Sequence, residues 1–179
     1  AEFAAVPVNF AHHLPADLGY IDAAALACVG ATAVMLCNLG HVGNGSKVLV
    51  NGASGGVGHV AVQVARARGA EVTAIASAAR HEFIRSLGAN SCIDYRTEPM
   101  RGWPGGFDAV LDCVPNIPRS VQRHLLGRKG HYVTTVPNAA TFMIDPLINR
   151  CGGVQRHGVM LRPDTAAMNA PVIQPPMRS

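Results

Sequence analysis

Short runs of apolar residues alternate along most of the chain with segments whose apolar residues recur at helical spacing. Six of the short runs are predicted to be strands, at residues 47–51, 71–76, 91–95, 109–114, 131–136 and 154–161. Helical spacing predicts helices at residues 22–39, 57–68, 80–87 and 119–126, and a further one at 139–149. Strands that read as continuous apolar runs and are separated by helices indicate a parallel sheet covered on both faces. The predicted fold class is therefore α/β, a Rossmann-like, doubly wound parallel sheet flanked by helices.

Capping chemistry and proline content set the expected ends of these elements. Asp22 is the predicted N-cap of the first helix, since a carboxylate there accepts hydrogen bonds from free backbone N–H groups. Gly69 and Gly88 are the predicted stops of two later helices. Residues 1–7 are expected to form a short strand, and residues 169–179, which include three prolines, an unstructured end.

Composition narrows the class of protein further. A chain of 179 residues, 49% of them apolar, can build one core, or one domain with a fragment of another. The net charge of +4 comes from scattered Lys and Arg residues, which favours anionic small molecules over nucleic acid as ligands. Five cysteines without a CxxC motif predict buried thiols and a cytoplasmic location. No uninterrupted apolar run of membrane-spanning length is found, so no membrane association is expected.

A glycine-rich segment follows the first predicted strand and opens the next helix. Residues 52–58 read GASGGVG and contain A-x-G-x-x-G, a variant of the dinucleotide fingerprint with alanine in place of its first glycine. The turn must be tight, the backbone at Gly55 and Gly56 must approach a pyrophosphate, and Gly58 must let the helix pack closely on the strand. The helix N-terminus then offers free N–H groups to the anion. The residues predicted to hold the pyrophosphate of a nicotinamide dinucleotide are Ala53, Ser54, Gly55, Gly56, Val57 and Gly58.

Two other motifs compete for the same segment. A P-loop would need Lys and then Ser or Thr after the last glycine, and His59 and Val60 stand there, which excludes it. Residues 52–56 also fit G-x-S-x-G, the nucleophile elbow of hydrolases, with Ser54 as nucleophile. The acid and base would then be drawn from Asp108 or Asp112 and from His124, His131 or His157. The elbow is disfavoured because it follows the first strand of the pattern and leaves the later glycines unexplained.

The end of the second strand bears on which dinucleotide is bound. An acidic residue there hydrogen-bonds the 2′-hydroxyl of NAD, whereas a small or basic surround accepts the 2′-phosphate of NADP. No acid occurs between Glu71 and Glu82. Ser77 and Arg80 are therefore predicted to bind the 2′-phosphate, with NADPH as cofactor, because a planar guanidinium suits a phosphate. The alternative is that Arg80 is a solvated residue at a helix start.

With these residues in place, the chain resembles the medium-chain dehydrogenase/reductase superfamily, in particular its zinc-free branch of quinone oxidoreductases and enoyl reductases. The resembling stretches are AAALACVGATA (23–33), SKVLVNGASGGVGHVAVQVARARGAEV (46–72), FIRSLGANSCIDYRTE (83–98) and FDAVLDCV (107–114). The resemblance implies that residues 1–22 are a remnant of a GroES-like catalytic domain and its linker. It further implies an NADP-binding Rossmann domain at 23–163 and a disordered tail at 164–179, with the catalytic domain largely absent.

The resemblance also implies further site residues. It places Thr32, Tyr95 with its neighbour Asp94, and the turn at Val136 near the cofactor. It puts Cys28 where zinc-containing relatives have a metal-binding cysteine. Because zinc needs about three protein ligands, and the glycine-rich loop reads as it does in zinc-free members, we expect a buried thiol there and no metal.

The catalytic residues are not identified by the resemblance. His41 and Tyr95 are the candidates for a proton donor. The family usually has glycines after the fourth strand, where this chain has Val114, Pro115 and Asn116. Proline there removes a backbone donor, which changes the usual cofactor contact at that turn.

Two functions of different classes are expected. The first is an NADPH-dependent oxidoreductase that passes hydride to a quinone or an α,β-unsaturated carbonyl compound. The second is a Rossmann scaffold used for a non-redox isomerisation or cyclisation, or for nucleotide binding without turnover. A third interpretation is that the chain is a part of an ordinary reductase.

The family resemblance also predicts a homodimer through the edge strand that starts at Val154 and ends at Leu161.

Overall fold

Six parallel strands form one sheet in the computed structural model of the chain, which describes residue 5 and residues 13–136, 145–150 and 153–159. The strands are β1 (Lys47–Asn51), β2 (Glu71–Ala76), β3 (Ser91–Asp94), β4 (Phe107–Asp112), β5 (Leu126–Thr134) and β6 (Gln155–Gly158). Their order across the sheet is β3-β2-β1-β4-β5-β6, with every neighbouring pair parallel. The topological switch point therefore lies between β1 and β4. The predicted doubly wound α/β fold is confirmed.

Helices cover both faces of this sheet. Within the described residues they are α1 (Tyr20–Leu39), α2 (Gly56–Ala67), α3 (His81–Ser86), α4 (Arg119–Leu125) and α5 (Asp145–Arg150). Alternate residues of a strand point to opposite faces, so neighbours such as Leu49 and Val50 belong to different cores. The first core lies under α1 and α2, and the second lies under α4 and the buried indole of Trp103. Both faces are thus closed by packing, as the continuous apolar strands predict.

The first helix begins before its predicted cap. Gly19 occupies the N-cap position of α1, without a side-chain capping bond, and Asp22 lies inside the first turn. The prediction that Asp22 caps the helix is therefore wrong. A carboxylate in the first turn still interacts favourably with the positive end of the helix dipole.

The boundary between α4 and β5 also differs from the prediction. The helix ends at Leu125, and β5 begins at once with Leu126 and runs to Thr134, instead of spanning 131–136. Leu126 pairs with Phe107, with a register shift before Ala109. At Gly130 a Cβ would lie 2.8 Å from Leu126 Cδ2, so glycine lets the strand pass close to its own beginning. This pairing is long-range, and local apolar patterning does not show it.

Contrary to expectation, α1 is long and apolar enough, by length and composition alone, to cross a membrane, with a mean hydropathy of 1.8. The buried part of the helix runs from Gly30 to Cys37, and α1 packs on α2. The core helix of a globular domain meets the same length and hydropathy criteria. Packing accounts for the apolar composition of the second half of α1, from Gly30 to Cys37. Tyr20 and Ile21, at the start of the helix, are exposed.

The ends of the chain carry several predictions that stay untested. Residues 1–7 apart from Ala5, and the predicted tail, lie outside the described residues. Of the predicted helix at 139–149, α5 accounts for the described part. The last predicted strand is present as the shorter β6, at an edge of the sheet. The homodimer through this edge stays a prediction.

Candidate functional site

The glycine-rich loop lies at the carboxyl end of β1, beside the switch point. Gly52 adopts a positive φ of 74°, a conformation that side chains other than glycine rarely adopt. A Cβ at Gly52 would also collide with Cγ2 of Val114, in the turn that follows β4. The loop and that turn are therefore in contact, one on each side of the crevice in which doubly wound sheets bind ligands.

Gly58 brings the backbone of α2 onto the backbone of the loop. A Cβ at Gly58 would overlap the carbonyl oxygen of Gly52 and would lie 2.8 Å from the Cα of Ala53. Both neighbours are main-chain atoms, which cannot move aside as a flexible side chain can. This is the close helix–strand approach that the third glycine of the fingerprint is required to allow.

The first turn of α2 is arranged to receive an anion. Gly55 is the N-cap, extended at φ −79° and ψ 172°, and no side chain in the described part of the chain caps it. The N–H groups of Gly56, Val57 and Gly58 lack partners inside the helix, and the helix dipole adds a partial positive charge there. Ser54, Gly55 and Gly56 are exposed. The loop therefore fits a diphosphate.

Ala53 has a different place from the rest of the predicted pyrophosphate loop. Its side chain is buried, and its backbone N–H donates to the carbonyl of Ile75 on β2 at 3.0 Å. Its amide is therefore already used, and the residue shapes the turn. The exposed part of the loop begins at Ser54.

The structure brings the predicted 2′-phosphate residues to the same edge of the sheet. Ser77 is half-buried directly after β2, and Arg80 is exposed at the end of a 3-10 turn, Ala78–Arg80. The Arg80 guanidinium makes no hydrogen bond or ion pair with any residue that the structure describes, so it is available to a ligand. Tyr95 follows β3 and is 53% exposed, with the Arg96 guanidinium 5.8 Å from its ring centroid. Asp94 adds one carboxylate at this edge, since it is the register partner of Ala76.

The two remaining predicted contacts occupy different surroundings. Thr32 is buried in α1, and its hydroxyl donates to the Cys28 carbonyl at 2.7 Å. Val29, one turn earlier, approaches the loop, since a Cβ at Gly56 would lie 3.6 Å from its Cγ1. Val136 follows β5, is 55% exposed, and its N–H donates to the Thr134 hydroxyl at 3.3 Å. Thr32 is thus committed to its helix, while Val136 has a free side chain.

A buried carboxylate occupies the switch point, and sequence reasoning considered it only as a hydrolase acid. Asp112 ends β4, is fully buried, and accepts from the Asn51 side-chain amide at 2.7 Å and from the hydroxyl of Tyr132. Burial raises the pKa of Asp112, and the hydrogen bonds from Tyr132, Asn51 and backbone amides act in the opposite direction. Asn51 and Asp112 are register partners. Two polar residues at the ends of otherwise apolar strands were the available sequence signal.

The structure does not place the candidate acids and bases of the hydrolase interpretation beside Ser54. Asp108 accepts from the backbone N–H of Lys47, at the amino end of the sheet, away from Ser54. Asp112 is engaged as described, and His124 contacts the Trp103 carbonyl. Among the described residues, no hydrogen bond joins Ser54 to a histidine. The alternative is therefore set aside.

His41 is excluded as a proton donor to a ligand in the crevice. It has a positive φ of 49° and precedes β1, at the amino end of the sheet. Its ring lies 4.6 Å from that of His131, which in turn stacks on His157 at 5.7 Å. These imidazoles form a cluster at the end of the sheet opposite the glycine-rich loop, so the candidate role for His41 is wrong. The same placement removes His131 and His157 as bases for Ser54.

The cysteines are less buried than predicted. Cys28 is exposed, which corrects the expected buried thiol, because the first half of α1 does not face the sheet. Cys37 is buried, and burial raises its pKa to about 12. Cys92 and Cys113 are half-buried, and Cys151 lies outside the described residues. In the described ranges, no group of three His, Cys, Asp or Glu side chains is placed to hold a metal ion.

Comparison with known families and proteins gives a consistent result. The sequence model of the family described as zinc-binding dehydrogenase matches residues 56–149, just over half of the chain. A chloroplast envelope quinone oxidoreductase homolog of Arabidopsis thaliana is 39% identical over 147 residues, covering 76% of this chain and 45% of the relative. The human mitochondrial NAD(P)H oxidoreductase RTN4IP1 is 41% identical over 64% of this chain and 31% of its own length. The chain thus spans less than half the length of these relatives.

Solved structures show the same architecture. The quinone oxidoreductase from Coxiella burnetii superimposes with a TM-score of 0.73 at 28% identity, over 86% of this chain and 48% of that one. The quinone oxidoreductase from Thermus thermophilus, which was also solved in complex with NADPH, gives 0.67 at 33% identity over 84% and 49%. The CurK enoyl reductase gives 0.71 at 26% identity over 93% and 51%.

Proposed function

We propose that the chain binds NADPH and forms the cofactor-binding part of an NADPH-dependent reductase. It belongs to the medium-chain dehydrogenase/reductase superfamily, of which it carries the cofactor-binding half. The substrate class is a quinone or an α,β-unsaturated carbonyl compound, as the names of the quinone oxidoreductase and enoyl reductase relatives suggest. The bound cofactor supplies the hydride. The chain's own residues bind and orient it in the crevice at the switch point.

The close approach at Gly58 carries this proposal. A helix start with free N–H groups is common, but here its backbone lies directly on the backbone of the preceding turn. That approach sets the uncapped first turn of α2 at the mouth of the crevice, where a diphosphate needs it. Ser54, Gly55 and Gly56 leave the approach to these amides open because they are exposed and small.

The preference for NADPH is proposed to rest on Ser77 and Arg80. The exposed Arg80 guanidinium can pair with a 2′-phosphate, while the Asp94 carboxylate already accepts from the backbone N–H of Arg96 at 2.9 Å. We expect Arg80→Glu to weaken NADPH binding about tenfold or more and to leave NADH binding within about twofold, since one charged hydrogen-bonding partner becomes repulsive. Both dissociation constants are measured by nicotinamide fluorescence.

Arg128→Glu is the matched control, because Arg128 is exposed near the start of β5, at the amino end of the sheet. It makes the same charge change away from the crevice and is expected to alter neither constant. If Arg80→Glu left the ratio of NADPH to NADH affinity unchanged, the assignment of the 2′-phosphate site to Arg80 would be wrong.

Turnover is tested separately from binding. NADPH oxidation is followed by the loss of nicotinamide absorbance with 1,4-benzoquinone and with a crotonyl thioester as acceptors. Oxidation with either acceptor supports the reductase proposal. Tight NADPH binding with no oxidation would favour the nucleotide-binding scaffold. Absence of both binding and oxidation would refute the proposed cofactor site.

A further inference from the structure

The turn after β4 lies on the nicotinamide side of the crevice. In a doubly wound sheet the dinucleotide bridges the switch point, with one mononucleotide on each half of the sheet. The glycine-rich loop and Ser77 belong to the β1–β2 half, which is expected to take the adenosine end. Residues 114–117 follow β4 and therefore face the other end. Val114 is 46% exposed and touches Gly52, so this turn lies at the crevice itself.

Buried polar side chains hold the turn at both of its ends. The N–H of Val114 donates to Oδ1 of Asp112 at 3.1 Å, and the backbone of Ile117 acts to lower the pKa of the same carboxylate. The side-chain amide of Asn51 donates to Oδ1 of Asn116 at 2.9 Å. The side-chain amide of Gln122 donates to the Ile117 carbonyl at 2.8 Å. The conformation of the turn thus depends on where Asp112 and Gln122 are held.

Tyr132 joins these two side chains. Its hydroxyl donates to Oδ2 of Asp112 and lies near the Gln122 side chain, which acts to lower the pKa of Tyr132 against the larger raising effects of burial and Asp112. Gln122 is fixed in turn by Arg156 of β6, whose Nε lies 3.3 Å from Oε1. Tyr132 is 7% exposed, on the face of the sheet that packs under α4, so any influence on a ligand passes through its partners.

We propose that Tyr132 is a positioning residue which, through the Asp112 carboxylate and Gln122, sets the turn at residues 114–117 against the nicotinamide half of the bound dinucleotide. The inference rests on the proposed function. It gives a role to a buried hydroxyl paired with a buried carboxylate, where leaving either without its partner is costly. It also assigns the turn Val114–Pro115–Asn116 a role in binding despite its departure from the glycines usual in the family.

The test compares a whole dinucleotide with its adenosine half. Dissociation constants for NADPH and for 2′,5′-ADP are measured by isothermal titration calorimetry on the 179-residue chain, with Tyr132→Phe. We expect a rise of about tenfold for NADPH, as for the loss of one hydrogen bond to a charged group, and of less than about twofold for 2′,5′-ADP. Tyr20→Phe is the matched control, because Tyr20 is 86% exposed, and it should change neither value.

Each outcome separates this inference from the proposed function. If the wild-type chain bound neither NADPH nor 2′,5′-ADP, the proposed function would fail and this inference with it. If the wild type bound both, and Tyr132→Phe weakened both equally or neither, only the positioning role would fail. Should Tyr132→Phe not fold, judged by circular dichroism, Gln122→Met replaces it. That change keeps side-chain length, removes the bond to the Ile117 carbonyl and the acceptor for Arg156, and must give the same selective loss of NADPH affinity.

Discussion

Replacing Gly58 by alanine tests the packing on which the glycine-rich loop depends. The added Cβ would overlap the Gly52 carbonyl oxygen and would lie 2.8 Å from both the Gly52 carbonyl carbon and the Ala53 Cα. Contacts this short between non-bonded heavy atoms do not persist, so α2 and the β1–α2 turn must separate. Separation shifts the first-turn N–H groups away from the mouth of the crevice. A single methyl group is therefore expected to affect stability and ligand binding together.

The size of the stability effect follows from two opposing terms. Overpacking a closely packed site costs typically about 1–3 kcal/mol, and this site is at the upper end because all three neighbours are backbone atoms. Alanine recovers roughly 0.5–1 kcal/mol over glycine inside a helix. The net loss in the free energy of unfolding is then about 2 kcal/mol. For a domain of this size that lowers the melting temperature by roughly 4–8 °C.

The assay is differential scanning fluorimetry with and without saturating NADPH. If the proposed site binds NADPH, the wild type is expected to melt later with NADPH than without it, and Gly58→Ala is expected to melt earlier and to show no such gain. Gly43→Ala is the matched control, because nothing lies within 4 Å of a Cβ there and its φ is not positive. If Gly58→Ala melted with the wild type and still gained stability from NADPH, the close approach would not be needed, and the reasoning about the loop would be refuted.

Two further predictions concern the core and the histidine cluster. Leu111→Ala, at a fully buried position, should lower the free energy of unfolding by about 3 kcal/mol in urea denaturation, whereas Leu14→Ala, at a position 37% exposed, should change it little. Burial, and then the His41 imidazole, lower the pKa of both His131 and His157. The unfolded chain therefore takes up protons near the ordinary value of 6.5 before the folded chain does, so stability present above that pH is lost as the pH falls below it. His131→Gln should reduce the fall in melting temperature that occurs as the pH is lowered, and His13→Gln should not. Equal slopes of melting temperature against pH in the two variants would contradict the assignment of this pH dependence to the histidine cluster.

The fold was predictable wherever local pattern determines it. β1 and β2 match their predicted bounds because each is an apolar run closed by a turn. The start of β5 was missed because it depends on pairing with Phe107, far along the chain. The burial of Cys28 was mispredicted because composition does not show which half of an apolar helix faces the sheet. Errors thus fall where tertiary contacts decide.

In the candidate site too, the residues fixed by local sequence could be predicted and those placed by tertiary contacts could not. The conformation of the glycine-rich loop depends on local backbone requirements. A tight turn and a closely packed helix can therefore be inferred from Gly55, Gly56 and Gly58 in the sequence. Ser77 and Arg80 could be placed because the end of a strand fixes their edge. His41 was a wrong candidate because only the strand direction shows that it lies at the opposite end of the sheet.

The buried network at the switch point shows what local reasoning cannot supply. Asn51 and Asp112 are 61 positions apart, and Tyr132 is a further 20 beyond Asp112. Asn51 and Asp112 each end a mostly apolar strand, so patterning treats each as an exception without a partner. Parallel pairing of β1, β4 and β5 brings Asn51, Asp112 and Tyr132 into one cluster, since the carboxyl ends of adjacent parallel strands lie together. Because a buried carboxylate needs donors, Asp112 can be accommodated only where Asn51, Tyr132 and the turn supply them. The same requirement that makes the network costly to break is what lets it fix the turn at residues 114–117.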